Sequence, residues 1–278
     1  MIPKNKIKEF KKYLEGDFEN NLLDSAILNL ENHHSLTFNN FAYAMREMLR
    51  ILFHRLSPEK EIRKCSWYPA LKEPNDKITR RQRYKYAIQG GIGDFLLKQF
   101  RLDKSIEKAC TTLLKQIEVL NSFTHIEEHT YNLSMDDTKD RANQCFDAVL
   151  KVVRLIKRVR NKLFKHIITY LDKRLLNKAL MEYVENIDLI AARASVEEIK
   201  ANKFINMEID SSRVSFTVSG YTYCLLEYGN RIDIKNGDDW SCYMDFDFKA
   251  PVVIKIEKPF GSHMKIGKID VNIDKFYQ

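Results

Sequence analysis

Val214-Ser-Phe216-Thr-Val218-Ser-Gly220-Tyr221-Thr-Tyr223-Cys-Leu225 is the stretch on which the fold class turns. Val214, Phe216 and Val218 alternate with polar neighbours, as do Tyr221, Tyr223 and Leu225 after the glycine. A repeat of two residues sends successive side chains to opposite faces of an extended chain, the signature of a strand with one face in a core. The alternation returns at Val252, Ile254 and Ile256 and again at Ile269, Val271 and Ile273. Gly229, Asn236-Gly237, Pro251, Pro259-Phe-Gly261 and Gly267 punctuate these runs with turn chemistry. Residues 201–278 are therefore expected to form a small antiparallel β domain of about five or six strands, arranged like a sandwich.

Upstream the apolar period is that of a helix. Ile7, Phe10, Tyr13 and Leu14 share a face, as do Leu22, Ala26, Leu28 and Leu30, which predicts two short helices split near Gly16. Phe41, Ala42, Met45, Met48, Leu49, Leu52 and Phe53 predict a stronger helix over about residues 38–56, stopped by Ser57-Pro58. Pro69, Pro74 and Asn75-Asp76 predict a loop. Asp103 is expected to cap a helix running to about residue 123. The longest helix is expected over residues 139–171, where Ala142, Phe146, Val149, Val153, Ile156, Leu163 and Ile167 form the stripe. Ser195-Val-Glu-Glu198 reads as a capping box that opens a last short helix. The expected architecture is α+β: a helical bundle over residues 1–200 followed by the β domain.

Composition narrows the function classes. With 278 residues, 44% of them hydrophobic, the chain can fill a real core, so disorder is excluded. No stretch approaches the ~18 uncharged apolar residues of a membrane helix, and Met1-Ile-Pro-Lys leads into a charged amphipathic segment, so a cytoplasmic protein is expected. Cys65, Cys110, Cys145, Cys224 and Cys242 are scattered, with no CxxC pair, and are read as reduced. The net charge is +8, yet residues 201–278 hold 10 Lys and Arg against 11 Asp and Glu, so the excess lies in the first 200 residues. Residues 141–175 alone hold 10 basic against 2 acidic side chains. A field of that sign attracts a polyanion such as nucleic acid; a solvated Lys-rich helix face is the plainer reading.

Several ordered blocks share a pattern. They are Asn39-Asn40-Phe41-Ala-Tyr-Ala-Met-Arg46-Glu47-Met-Leu-Arg50, Cys65-Ser-Trp67-Tyr68, Thr79-Arg80-Arg81-Gln82-Arg83-Tyr84, Tyr86-Ala-Ile-Gln89-Gly90-Gly91, Phe123-Thr124-His125 and Glu227-Tyr228-Gly229-Asn230-Arg231-Ile-Asp233. In this order the chain resembles the predicted nucleases encoded beside prokaryotic PIWI proteins. The resemblance implies a defence-associated nuclease that acts with a PIWI-like or other partner. Gly229-Asn-Arg-Ile-Asp233 departs from it, since the family pattern has a serine-rich stretch before the Asp.

Four constellations could carry chemistry. Arg160-Asn161-Lys-Leu-Phe-Lys-His166 resembles the Arg-x(4–6)-His motif of HEPN ribonucleases, so the bundle is expected to be HEPN-like. Arg160 falls in the apolar stripe between Ile156 and Leu163, where a charge must be paired or must face a cleft. An imidazole near neutral pH and a cation for the phosphate are what metal-free cleavage of RNA through its 2′-hydroxyl requires. Residues six apart diverge by roughly 120° on a helix, so this site would be assembled from two copies of the chain. His125 is the reserve candidate. It also opens His125-Ile-Glu-Glu128-His129, the H-x-x-E-H spacing of inverted zinc peptidases, although no downstream Glu helix supplies a third ligand.

Arg80, Arg81, Arg83, Tyr84, Lys85 and Tyr86 form a basic aromatic run before Gly90-Gly91, suited to phosphate and base contacts, with Glu47 or Asp94 ordering the guanidinium groups. The structural alternative is a helix that packs its tyrosines and pairs its arginines. Arg46, Arg154, Lys157 and Arg158 are further candidate phosphate contacts. Asp233, Asp238, Asp239, Asp245 and Asp247 could hold Mg²⁺ or Ca²⁺, or could be hairpin and strand-face residues. No Gly-rich phosphate loop, Ser-His-Asp order or dinucleotide fingerprint is present, and no cofactor or resident metal is expected. The leading expectation is a metal-independent ribonuclease, with RNA favoured over DNA. A non-catalytic nucleic-acid-binding adaptor and a zinc hydrolase are the rivals.

Overall fold

The computed structural model describes residues 2–69, 77–181, 185–229 and 240–277. It divides into two compact units, Met1–Val159 and Arg160–Gln278, and is α+β: helices first, then an antiparallel sheet. No helix among the described residues is long and apolar enough to cross a membrane.

The first unit contains α1 (Lys4–Lys11), α2 (Gly16–Glu31), α3 (Thr37–Leu56), α4 (Glu59–Lys64), α5 (Arg80–Gln89), α6 (Asp94–Gln99), α7 (Asp103–Ser122) and the start of α8 (Met135–Met181). Its centre is α3, whose Phe41, Ala42, Met45, Met48, Leu49, Leu52 and Phe53 are all buried, as the stripe predicts. The other helices bring aromatic rings to this core. Phe38 meets Phe123 edge-on at 4.7 Å, Phe53 lies 4.5 Å from Tyr84, and Phe10 meets Phe146 at 6.0 Å. Ser57 ends α3 and ties it to α5, because its hydroxyl donates to the Arg83 carbonyl at 2.7 Å. Thr79 caps α5 through a reciprocal box with Gln82. Asp103, expected as a cap, is instead the first-turn acid of α7, with Leu102 in the capping position.

The second unit takes the rest of α8, then α9 (Glu185–Asp188), β1 (Arg193–Ile209), β2 (Arg213–Tyr228), β3 (Trp240–Lys255), β4 (Met264–Ile266) and β5 (Asp270–Asn272). The strand order is β1-β2-β3-β4, and β5 also pairs with β3. All pairings are antiparallel; β4 meets residues 252–254 of β3 and β5 meets residues 247–249.

Two expectations are corrected here. Ser195-Val-Glu-Glu198 lies within β1 and caps no helix; Val196 and Ile199 are buried and the strand is paired to β2. Packing of those side chains outweighs the local capping signal. The strands among the described residues also form one sheet, not two facing sheets. At 16 or 17 residues, β1 to β3 are far longer than the usual strand of about 6 residues, so three strands absorb most of the alternation. Their buried face is covered by α8. Phe164 packs 5.3 Å from Phe204 and 6.2 Å from Phe216, and Leu163, Ile167, Leu171 and Leu175 are buried along the same helix. The second half of α8 therefore belongs with the sheet, and the 200/201 boundary expected from the change of period falls inside β1.

The alternation in β2 does not change phase at Gly220. Val214, Phe216, Val218, Thr222, Cys224 and Leu226 are all buried, so Tyr221 and Tyr223 lie on the exposed face, where Tyr223 stacks on Tyr243 at 5.2 Å. Gly220 pairs with Ala201 beside a bulge in β1, and a Cβ at Gly220 would stand 1.8 Å from the Lys200 carbonyl oxygen. Only glycine fits that approach.

Candidate nucleic-acid cleft

Helix α3 carries Arg46, Arg50 and His54 at four-residue intervals, which places them one above another on a single polar face. The opposite face fills the core. Beyond the Ser57-Pro58 turn, α4 adds Glu59 and Arg63, and α5 adds Arg80 and Arg83. These side chains, with Lys77, line one cleft of about 690 Å³ in the first unit, floored by Leu49, Phe53, Tyr84 and Ile117. Six cations face two carboxylates there.

The carboxylates hold the guanidinium groups in place. Glu47 accepts from Arg46 Nη2 at 2.9 Å and from Arg50 Nε at 2.8 Å, and Arg46 Nη1 donates to Thr124 Oγ1 at 3.2 Å. Glu59 accepts from Arg63 Nε at 3.1 Å and lies 3.5 Å from Arg83, whose Nη1 also donates to the Ser57 carbonyl at 3.0 Å. Hydrogen bonds from Arg50 and Arg63 hold the carboxyls of Glu47 and Glu59, respectively, below the usual glutamate value. The side chains of Arg80 and Lys77 are exposed and make no hydrogen bond or ion pair within the described residues. The cleft thus combines pre-ordered guanidinium groups with uncommitted cations, an arrangement suited to an extended polyanion.

His54 is the remaining polar group of the lining. Desolvation in the cleft, then the nearby charges of Arg83 and Arg50, hold its imidazole below the ordinary value, against the opposing pull of Glu59. Burial pushes the Tyr84 hydroxyl upward.

Residues 11–149 match one family model and residues 156–277 match a second, and both are described as predicted pPIWI-associating nuclease. The chain belongs to this family. No curated protein and no solved structure matches the chain. The two models meet close to the division between the compact units, so each family model corresponds largely to one unit.

The basic run on α5 is divided between two faces. Arg80 and Arg83 line the cleft, whereas Arg81 and Lys85 line a second cavity of about 900 Å³ with Trp67 and Gln89. Arg81 pairs with Glu107 and Lys85 with Asp94 at 2.9 Å, and the Lys85 ammonium sits 4.7 Å over the Trp67 ring. The partners of the run are therefore Glu59, Glu107 and Asp94; Glu47 serves Arg46 and Arg50 instead.

Arg154 is paired to Glu9 through two hydrogen bonds of 2.8 and 2.7 Å, and Lys157 and Arg158 are exposed on α8, outside the cleft lining. His125 is exposed just beyond α7, and its carbonyl accepts from Thr130 Oγ1 at 3.1 Å. His129 lies in a short 3₁₀ turn, Glu128–Thr130, and contacts Glu127 at 3.3 Å, so the H-x-x-E-H segment lacks the helical turn that would aim both rings at one ion. Among the described residues no three His, Cys, Asp or Glu side chains are grouped to hold a metal.

Arg160 and His166 lie in the second unit. Arg160 is half-buried and donates from Nε to the Met207 carbonyl at 3.0 Å; His166 is exposed, with its ring 6.4 Å from Phe260. Asp245 and Asp247 lie on the exposed face of β3, and Asp245 pairs with Lys275 at 2.8 Å. Asp233, Asp238 and Asp239 lie outside the described residues. Of the cations and His that line this cleft, the sequence reading singled out Arg46, Arg80 and Arg83 as candidate phosphate contacts and did not single out Arg50 and His54. The available signal was the four-residue spacing Arg46, Arg50, His54 on the face of α3 opposite its apolar stripe.

Proposed function

We propose that the chain is a metal-independent ribonuclease that grips the phosphodiester backbone of RNA in the cleft of its first unit. The convergence of Arg46, Arg50, Arg63, Arg80 and Arg83 from three helices carries this reading, because a strand with one negative charge per nucleotide needs a row of cations. The family's description supports the nuclease role and the association with a PIWI-like protein. Metal independence is favoured by the donor set. Both carboxylates of the lining, Glu47 and Glu59, are engaged by arginines, while guanidinium groups are placed to compensate the charge of a phosphorane-like transition state.

Filter binding and gel assays on the full chain with labelled RNA and DNA, at 50 and 300 mM salt and with or without EDTA, test the proposal. RNA should bind in a salt-sensitive manner and be cleaved equally with chelator present. Binding without cleavage would favour the adaptor reading. Loss of cleavage on chelation would overturn metal independence.

A further inference from the structure

We infer that His54 is the catalytic residue that moves the proton during cleavage, and that the reaction is attack by the ribose 2′-hydroxyl on the neighbouring phosphorus. The inference rests on the cleft being the phosphodiester site. Three placements carry it. His54 shares the polar face of α3 with Arg46 and Arg50, so a phosphate held by Arg50 lies within one helical turn of the imidazole. The ring is exposed to the cleft, free to meet a substrate hydroxyl. The charges that act on it are Arg50 of its own helix, Glu59 of α4 and Arg83 of α5, with Glu47, Arg63 and Arg80 elsewhere in the same lining. This shell is cationic overall, which favours the uncharged imidazole, the form that accepts a proton.

The step balances without a co-reactant. Neutral His54 takes the 2′-hydroxyl proton as the oxygen bonds to phosphorus. The bond from phosphorus to the 5′-oxygen of the next nucleotide breaks, and that oxygen takes a proton from water. The imidazolium returns its proton to the resulting hydroxide. The products are a 2′,3′-cyclic phosphate and a 5′-hydroxyl, with no net gain or loss of protons or electrons. Arg50 and Arg83 compensate the charge that builds on the non-bridging oxygens. The chemistry requires RNA at the scissile position.

The test uses the full chain with His54→Ala and His54→Gln, and an RNA oligonucleotide alongside its copy with a single 2′-deoxy substitution. Cleavage by both variants should fall at least about 100-fold, within the range of general-base removal, while RNA binding and melting temperature stay at wild-type values. The wild-type products should carry a cyclic phosphate, and the deoxy copy should resist cleavage at that position. The acid limb of the rate profile should lie below the ordinary histidine value of 6.5 and should move upward in Arg83→Ala. Wild-type cleavage rates in His54→Ala, 5′-phosphate products, or a wild-type chain that binds RNA without cutting it would each overturn the inference. Binding that is indifferent to Arg80→Ala and Arg83→Ala would instead overturn the cleft reading beneath it.

Discussion

Arg55 grips Glu19 with both prongs, Nε donating to Oε1 at 2.7 Å and Nη2 to Oε2 at 2.8 Å, one residue beyond His54 at the end of α3. The same Nη2 donates to the Tyr13 carbonyl at 2.7 Å, and Glu19 also accepts the Glu15 backbone N–H at 2.9 Å. The pair therefore fixes α2 and the α1–α2 turn to the end of α3.

Burial raises the Glu19 carboxyl, but the hydrogen bonds from Arg55 and Glu15 outweigh it and hold the group below the ordinary value of 4.5. A depressed folded-state value means a stabilising contribution that is full above about 4.5 and lost as the pH falls through the folded value. Glu19→Gln should cost about 1.5–3 kcal/mol at pH 7, the range for a hydrogen bond to a charged group, since Arg55 loses its buried carboxylate but keeps Glu15 at 2.7 Å. The cost should shrink as the pH falls below 4. Urea melts of both proteins at pH 7 and pH 3.5 check this; equal stability at pH 7 would show that the pair contributes nothing.

The two faces of α5 predict unequal roles for adjacent arginines. Arg80 is exposed at the cleft without a partner among the described residues, whereas Arg81 is paired to Glu107 and donates to Thr111 Oγ1 at 3.2 Å. Arg80→Ala and Arg83→Ala should each weaken RNA binding roughly 5- to 10-fold at 100 mM salt and lower the slope of log affinity against log salt by about 1. Arg81→Ala should change binding less than twofold. Fluorescence anisotropy across a salt series separates the three, and a larger loss in Arg81→Ala than in Arg80→Ala would place the backbone in the Trp67 cavity.

Helix α3 was legible from its apolar stripe, and so was the polar face behind it. What hid His54 was that its companions Arg80 and Arg83 come from a helix beyond the Ser57-Pro58 turn, and sequence spacing says nothing about side chains that meet only through packing. The sheet shows the converse. The change of period after about residue 203 announced strands, but Tyr221 and Tyr223 looked like core residues because the alternation was keyed on the bulky rings, which left Thr222 and Cys224 as the apparent polar neighbours. Continuous pairing through Gly220 decided which face they take. Arg160 was conspicuous as a charge in an apolar stripe, and its partner, a backbone carbonyl of a distant strand, carries no side-chain signature at all.

Gly220→Ala follows from the closest approach in that sheet. Its new Cβ would meet the Lys200 carbonyl oxygen at 1.8 Å, and backbone on a paired strand cannot step aside as a flexible side chain can. The variant should lose about 3 kcal/mol or more, or fail to accumulate as folded protein, through damage to the β1–β2 pairing. Circular dichroism and thermal melts provide the measurement. A melting temperature within a degree or two of wild type would show that the bulges of β1 absorb the methyl group.

Met207 lies in a register shift of β1, between Ile205 and Glu208, and has no cross-strand partner on β2. The Ala201 N–H sits at another shift and is taken by Asp172 Oδ1 at 2.8 Å, just as the Met207 carbonyl is taken by Arg160 Nε at 3.0 Å. Further along α8, Arg174 donates to the carbonyls of Met264 and Ser262 at 3.0 and 2.9 Å. Polar side chains of α8 thus satisfy backbone groups that the ladder leaves over, and a half-buried carbonyl without its donor costs about 1–3 kcal/mol. Arg160→Ala should therefore lower stability by an amount in that range, and Asp172→Ala should do the same. In a double variant the two costs should add to within about 0.5 kcal/mol, because the bulges are separate. A purely catalytic Arg160 would behave otherwise. Its removal would leave the melting temperature unmoved and abolish cleavage, and that result would return the active centre to α8 and to His166.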